Sequence, residues 1–540
     1  MEPAERILVA DNSQVIQQWE GAGGQAPQII SEQDGGTRIE WHGGIAWDKY
    51  VNESTGGDTL TPQRNGSFYT AQVTSDLRGT GPGGDISYFQ FAGTHTNDRA
   101  VLSNPSQISV FRIGRVGQGY KFEAGDVVAN FSTLGANTPM RGLYGEGFLE
   151  KVYVGVSAGI ISESWETLAN TAPRTRYLRN AYAAKVDLPM GESTHFFATS
   201  QGYSDDSSSG TPGTVAGGTI ALAAADGRNT TLGFNHQQGQ FSLQGEVGTS
   251  YWKEAEQQSH NDQALVLDGG YQLSTVKLPA GNHDIGTDYP SISAGGGAGV
   301  KETYINASWP AKSWLTLNAD LRHSENKADN SSATDSGALN AIINIEAVPG
   351  LSSNLAYSES NGKNSDGGRN TNKNHGAGLN YAYQSWNGGV NFQQSKLTNS
   401  GASASNSTTD TWSYLVGKTW SDANQAIAAS WNLNLNLGFG TSRQDLDSGA
   451  STNGENTRVN LTAQHVRWGN LTAAYGYNTI SSPTDGSKSE QRQYQIETAH
   501  SFDKQNRTGI KFYWQRSESF TGAAFGYTER KLGFQLSYSL

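Results

Sequence analysis

The sequence predicts an all-β protein, a single large antiparallel transmembrane β-barrel of about 24–26 strands with short turns at one rim and long loops at the other. Three observations predict it. Large apolar residues alternate with small or polar ones along most of the chain, the period of a strand with two unlike faces. Only 35% of the 540 residues are hydrophobic while Gly reaches 66 and aromatics 10%, too little aliphatic content for an ordinary soluble core of this length but enough to cover one face of each strand. The connections fall into two classes, tight and long, in alternation.

The alternation is clearest in four places. Leu532, Phe534, Leu536, Tyr538 and Leu540 form one face of the last nine residues. Ile39, Trp41, Ile45 and Trp47 oppose Arg38, Glu40, His42 and Asp48 near the start. Leu315, Leu317, Ala319 and Leu321 oppose Thr316, Asn318, Asp320 and Arg322. Ile427, Ala429, Trp431, Leu433, Leu435, Leu437 and Phe439 oppose Asn432, Asn434 and Asn436. Strands of about 10 residues match the tilted span of a hydrocarbon layer. With one face in lipid, the Asn, Asp and Arg rows face the lumen.

Tight connections occur at 310–312, 348–350, 386–388 and 468–470; long Gly/Ser/Asn-rich ones at 323–337, 359–373, 397–409, 441–455 and 480–490. Short periplasmic turns and long extracellular loops have this pattern. Trp309, Trp314, Trp386, Trp420 and Trp468 track the short turns, which predicts an aromatic girdle at the inner membrane interface. From residue 298 onward the pattern gives 13 strands. Before 292, candidates lie at 37–50, 66–78, 84–95, 106–116, 120–131, 149–161, 176–188, 193–204, 215–225, 229–237, 239–252, 263–277 and 281–291. Parity fails around 131–176 and 204–263, so each region hides one strand too many or too few. Residues 37–540 form the barrel, and 1–36 form a periplasmic lead-in or small plug segment. Strands about 4.8 Å apart and tilted about 40° make a ring on the order of 50 Å across. Side chains cannot fill that width, so the lumen holds water, a partner or a plug; 1–36 and the loop 132–148 are the candidate plugs.

No run of 18 apolar residues exists, which leaves strands as the only way to span lipid. A net charge of -12 excludes nucleic acid as a partner. Cysteine is absent, in keeping with an exported chain without disulfides. Met1-Glu2-Pro3-Ala4-Glu5-Arg6 lacks the basic and apolar regions of a signal peptide and reads as a mature start with an added Met1.

The motifs carry no chemistry. Gly155-Val156-Ser157-Ala158-Gly159 has the spacing of a nucleophile elbow, but Val152, Val154, Val156, Ala158 and Ile160 continue strand alternation through it, and an elbow needs a strand-to-helix turn. The ten His are scattered singly, without paired metal spacing. The Asp/Asn loops at 329–335 and 361–374 lack the ordered ligand pattern of a calcium loop. Gly295, Gly296, Gly297 and Gly299 have no following helix to bind phosphate. No catalytic residue, cofactor or metal is expected.

The C-terminal row resembles the closing strand of Gram-negative outer-membrane β-barrels, with Leu540 where those chains usually carry Phe or Trp. Gly125-Asp126, Phe131 and Arg141-Gly142 resemble a Gly-Asp…Phe…Arg-Gly pattern of large export barrels, fimbrial ushers among them. The resemblance places the chain in the outer membrane as a multi-pass barrel, in contact with outer-membrane lipid. A wide lumen walled by Asn, Ser, Thr and Gln, without visible opposed charges, predicts a conduit exporting a polypeptide or polysaccharide, helped by a periplasmic or lumen-bound protein partner. The alternatives are a passive or substrate-specific porin and a scaffold enclosing another protein.

Overall fold

A computed structural model describes residues 38–539 except 57–63, 103, 136, 162–163, 170–176, 210–213, 216–217, 220–223, 255–257, 290–298, 328–331, 364–366, 401–404, 422–430, 466–468, 504–506 and 522–524. The expected lead-in 1–36 lies outside these residues. Among those described, 26 strands form one antiparallel sheet. It closes where the first strand, Arg38–Gly56, meets the last, Phe525–Ser539, in a register running from Gly44↔Ser539 to Gly56↔Tyr527. Closure leaves neither strand as an open edge, which is what spanning lipid requires. At the joint, Trp47 meets Phe534 edge-to-face at 5.4 Å on one face. On the other, Tyr513 donates to Asp48 at 2.8 Å.

Thirteen of the strands follow residue 298, from Val300–Lys312 to Phe525–Ser539, the number the alternation gives. Before it the sequence reading needs two corrections. Asn137–Leu149 is a barrel strand, not the plug loop 132–148; Pro139, Gly142, Gly145 and Gly147 hide its period. The segment 215–225 is not a barrel strand, because Thr194–Asp206 pairs directly with Ala225–Gln238. Among the described residues there, Thr214–Val215 and Gly218–Thr219 pair as a separate two-stranded ladder.

The polar stretches of the second half are largely paired strand. In 323–337, His323↔Asp335 and Asn326↔Ser332 continue the ladder of Leu315–Asn326 with Ser332–Asn344. These hairpin arms are polar on both faces because they project beyond the hydrocarbon. Irregular connections at this rim are longest in the first half, between Val152–Ile161 and Leu178–Met190 and between Thr194–Asp206 and Ala225–Gln238. At the opposite rim the turn before Ile86 is held by Asp85, which accepts from Arg115 at 2.8 Å. The Arg115 guanidinium and the Tyr120 hydroxyl keep the Asp85 carboxyl below its usual range.

One face of each strand carries exposed aliphatic and aromatic side chains, Leu321, Leu339, Leu437 and Leu532 among them. A continuous apolar exterior of this kind is stable only against hydrocarbon. Leu437→Arg, near the middle of its strand and 44% exposed, is expected to cost about 2–4 kcal/mol of folding stability. Asn436→Arg, on the other face, is expected to cost far less. Urea titrations of the two proteins refolded into vesicles measure the difference.

Candidate functional site

The inner face can be assigned without reference to lipid. The segment after strand Tyr120–Asn130 leaves the wall and reaches a strand six places round the ring, Phe241–Glu254. Glu246 of that strand takes both contacts: Ser132 Oγ donates to Oε1 at 2.6 Å and the Leu134 amide to Oε2 at 3.0 Å. A link across so many strands runs through the interior, so Glu246 points inward. The register then carries the assignment round the wall, through Glu246↔Val266, Val266↔His283, His283↔Glu302 and Glu302↔Ser324. Paired residues share a face. Asn318, Asp320 and Arg322 lie on the Ser324 side of their strand, hence inside.

The lumen wall has two kinds of surface. On Val300–Ser539 it is mostly amide and hydroxyl. Ser308 donates to Asn318 at 2.8 Å, Asn306 stands in register with Asp320, and Arg322 pairs with Glu302 at 3.0 Å. Asn434 donates to Thr419 at 2.8 Å and accepts from Asn436; Asn432 pairs in register with Ser421. From Arg38 to Ile285 the inner face instead carries ion pairs and tyrosines. Arg112 and Lys121 flank Glu123, which Tyr88 also bonds. Tyr144 and Tyr153 share Glu146. Asp98 takes Tyr50 and Arg64. Asp268 takes His283 at 2.8 Å and Tyr304 at 2.7 Å. These charges are internally compensated, so the wall is hydrogen-bonding without a large field of one sign.

Against this wall the inward segment is anchored by apolar packing as well as by Glu246. Leu134 is buried with Ala264, Val266, Ile285 and Tyr289. Tyr289 comes from the connection after Val276–Ile285, so two connections meet inside the ring. Phe131, at the root of the segment, lies over Gly155 and stacks on Tyr144 with centroids 6.1 Å apart. Sequence reasoning missed Glu246, because its partners lie more than 100 residues earlier and it sits within an ordinary strand. Phe131 was visible only through the Gly-Asp…Phe…Arg-Gly pattern.

That pattern is a crease in the wall. Gly125 pairs with Gly142, and Gly142 with Gly159, so three adjacent strands carry glycine in one row. Gly125 has φ +107°, which glycine alone adopts without strain. A Cβ at Gly142 would overlap the Ala158 carbonyl, and one at Gly159 the Arg141 carbonyl. Backbone approach this close marks a tight bend of the sheet. Beyond it the inner face turns apolar, with Val127, Ala129, Met140, Ile161, Ala181 and Ala183 buried together.

The remaining sequence candidates are placed as follows. Trp309, Trp314 and Trp386 are exposed beside short turns, and Trp420 is exposed at the same rim, at the end of strand Ser407–Ser421; Lys418 sits over Trp386 and Trp420, 4.2 and 5.1 Å from their centroids. Trp468 lies outside the described residues. Ser157 continues the strand Val152–Ile161, paired with Tyr144 and Ala183; the strand runs straight through it without the turn an elbow needs. Among the described residues no three metal-ligating side chains converge.

No protein-family model and no curated protein matches the chain. Solved structures do. OccK9 (OpdG) of Pseudomonas aeruginosa matches at 12% identity and a TM-score of 0.30, over 73% of this chain and 100% of that one. OpdK of Pseudomonas aeruginosa, solved with vanillate, matches at 12% and 0.28, over 59% and 94%. Outer-membrane expressed OmpT of Vibrio cholerae matches at 12% and 0.27, over 65% and 99%. Scores this low carry no argument, and what the chain is rests on its own closure, apolar exterior and polar interior. The chain is a large closed antiparallel β-barrel with the apolar exterior and polar interior of a membrane-spanning barrel.

Proposed function

We propose that the barrel is a passive channel for hydrophilic solutes, its lumen narrowed by the inward segment 131–135. The observation that carries this reading is the seat of that segment on Glu246, where both carboxylate oxygens are used. A conduit for a sliding polymer needs an unobstructed bore or a displaceable plug. Here the obstruction is a short connection built into the wall, the usual way a wide barrel sets an aperture for small solutes. The compensated ion pairs and the Asn/Thr/Ser face, including Asn318, Asp320, Arg322, Asn432, Asn434 and Asn436, supply hydrogen bonds along the path. Trp309, Trp314, Trp386 and Trp420 fix the barrel's depth at the inner interface, with Lys418 held between two of them.

Single-channel recording in planar bilayers tests this. Purified protein alone is expected to give steadily open, ohmic currents with little preference between small cations and anions. A pore that stays closed until a partner is added, or until residues 131–135 are removed, would instead favour export of a macromolecule.

A further inference from the structure

The wall is interrupted beside the crease. Strands Ser106–Gly117 and Tyr120–Asn130 are neighbours, but their pairing runs only from Gly117↔Tyr120 to Arg112↔Gly125. Beyond Gly125 the second strand stays with Asn137–Leu149, through Val127↔Met140 to Asn130↔Asn137. It bends away with that partner, and residues 106–111 keep a neighbour on one side only. Open backbone at this level is costly in lipid, and here side chains satisfy it. The Phe111 amide donates to the Asp126 carboxylate at 2.7 Å, and the Ile108 amide to Glu166. Glu166 belongs to a one-turn helix, Trp165–Ala169, laid against the gap. Its neighbour Trp165 packs edge-to-face on Phe111 at 5.2 Å and donates Nε1 to Asp126 at 3.0 Å. Arg141 completes the group, its Nε 3.4 Å from Asp126 and its guanidinium over the Trp165 ring.

We propose that this interruption is a lateral portal: an opening between strands Ser106–Gly117 and Tyr120–Asn130, latched by Trp165 and Glu166, through which the hydrocarbon part of an amphiphile passes between lumen and surrounding lipid. Two independent features point to that ligand class. The inner face beside the gap carries an apolar patch, separate from the niche that holds Leu134, in a wall that is mostly polar, with Val127, Ala129 and Met140 at its edge. On the outer face the gap is flanked by exposed Ile113, Val128 and Leu143. An acyl chain crossing here meets apolar side chains on both sides, while its polar head stays with the hydrogen-bonding lumen. The closing bonds are carboxylate-to-amide and indole-to-carboxylate, made by a connecting segment. They can open without unzipping any strand pair, and the glycine row supplies the hinge. The inference goes beyond the solute pore, and its test does not use conductance.

The chain has no cysteine, so one introduced thiol is unique. Ala129→Cys places it on the inner face at the gap, fully buried; Asn434→Cys places a control on the far wall. Each is reconstituted in phosphatidylcholine vesicles, with and without Trp165→Ala or Asp126→Asn, and treated with an acyl-chain maleimide dissolved in the bilayer or with a charged, water-soluble maleimide. Opening the latch is expected to raise the acyl-maleimide rate at position 129 tenfold or more and to leave position 434 unchanged. An unchanged rate at 129, an equal rise at both positions, or a rise with the water-soluble reagent alone would overturn the portal. Failure of both latch variants to insert would overturn it too, because a portal's latch is dispensable for closing the ring.

Discussion

Gly142→Val is expected to abolish assembly of the barrel. The added Cβ would overlap the Ala158 carbonyl oxygen and the Gly159 Cα. Both are backbone atoms of a paired strand, so no rotamer change relieves the overlap. Gly142 sits between Gly125 and Gly159, so moving any one strand outward flattens the bend for all three. The bend places Phe131 and Leu134 inside, and losing it also loses the clusters they form. Gly125→Ala acts on the same crease in two ways: its Cβ would overlap the Phe111 carbonyl oxygen, and a side chain held at positive φ adds about 1–3 kcal/mol of backbone strain. Gly145→Ala is the control: its Cβ would meet only Val156 Cγ2 at 3.9 Å and two atoms at 4.0 Å, ordinary contact. Refolding yield in detergent, read by circular dichroism and heat-modifiable gel migration, is expected to be near zero for Gly142→Val and close to the parent for Gly145→Ala. Normal refolding of Gly142→Val would show that the crease is not obligatory.

Glu246→Ala is expected to unseat the inward segment and enlarge the pore. Hydrogen bonds to a charged acceptor contribute about 1.5–3 kcal/mol each, and this carboxylate accepts two, from Ser132 and from the Leu134 amide. A loss of about 3 kcal/mol shifts a seated-to-released equilibrium by roughly a hundredfold. The Leu134 side chain still favours its apolar niche, so the released state should exchange with the seated one rather than replace it. Recordings should therefore show a larger mean conductance with added flicker. Glu246→Gln, which keeps one acceptor oxygen, should fall between the two. Currents identical to the parent in Glu246→Ala would remove residues 131–135 from the role of constriction.

How much of this was legible in the sequence depends on whether a residue's partner is lipid or another part of the chain. Leu433, Leu435 and Leu437 against Asn434 and Asn436 disclose a strand and its two faces, because hydrocarbon and water sort side chains at each position separately. The 13 strands after residue 298 are all of this kind. Asn137–Leu149 was hidden because its glycines answer to neighbouring backbones instead of to solvent, which erases the period. The run 215–225 misled for the opposite reason: its residues are apolar and small, yet the strands on either side of it pair with each other. The stretches 323–337 and 359–373 are polar enough to suggest loops, but composition reports solvent, and a hairpin arm beyond the membrane is solvated on both faces while still paired. Glu246 and the Asp126–Trp165 latch depend on contacts between segments far apart in sequence. The Gly125-Asp126 and Arg141-Gly142 pairs were visible as a pattern, though their geometry, a crease beside a gap, was not.

A barrel of this kind stands only if the alternate residues of each strand face different media. A cysteine scan along 432–437, in a chain that has no cysteine of its own, measures this directly with nitroxide labels in vesicles. Collision rates with a lipid-dissolved relaxant should be high at 433, 435 and 437 and low at 432, 434 and 436, and a water-soluble metal chelate should give the reverse order. Uniform accessibility to the aqueous relaxant at all six positions would contradict it.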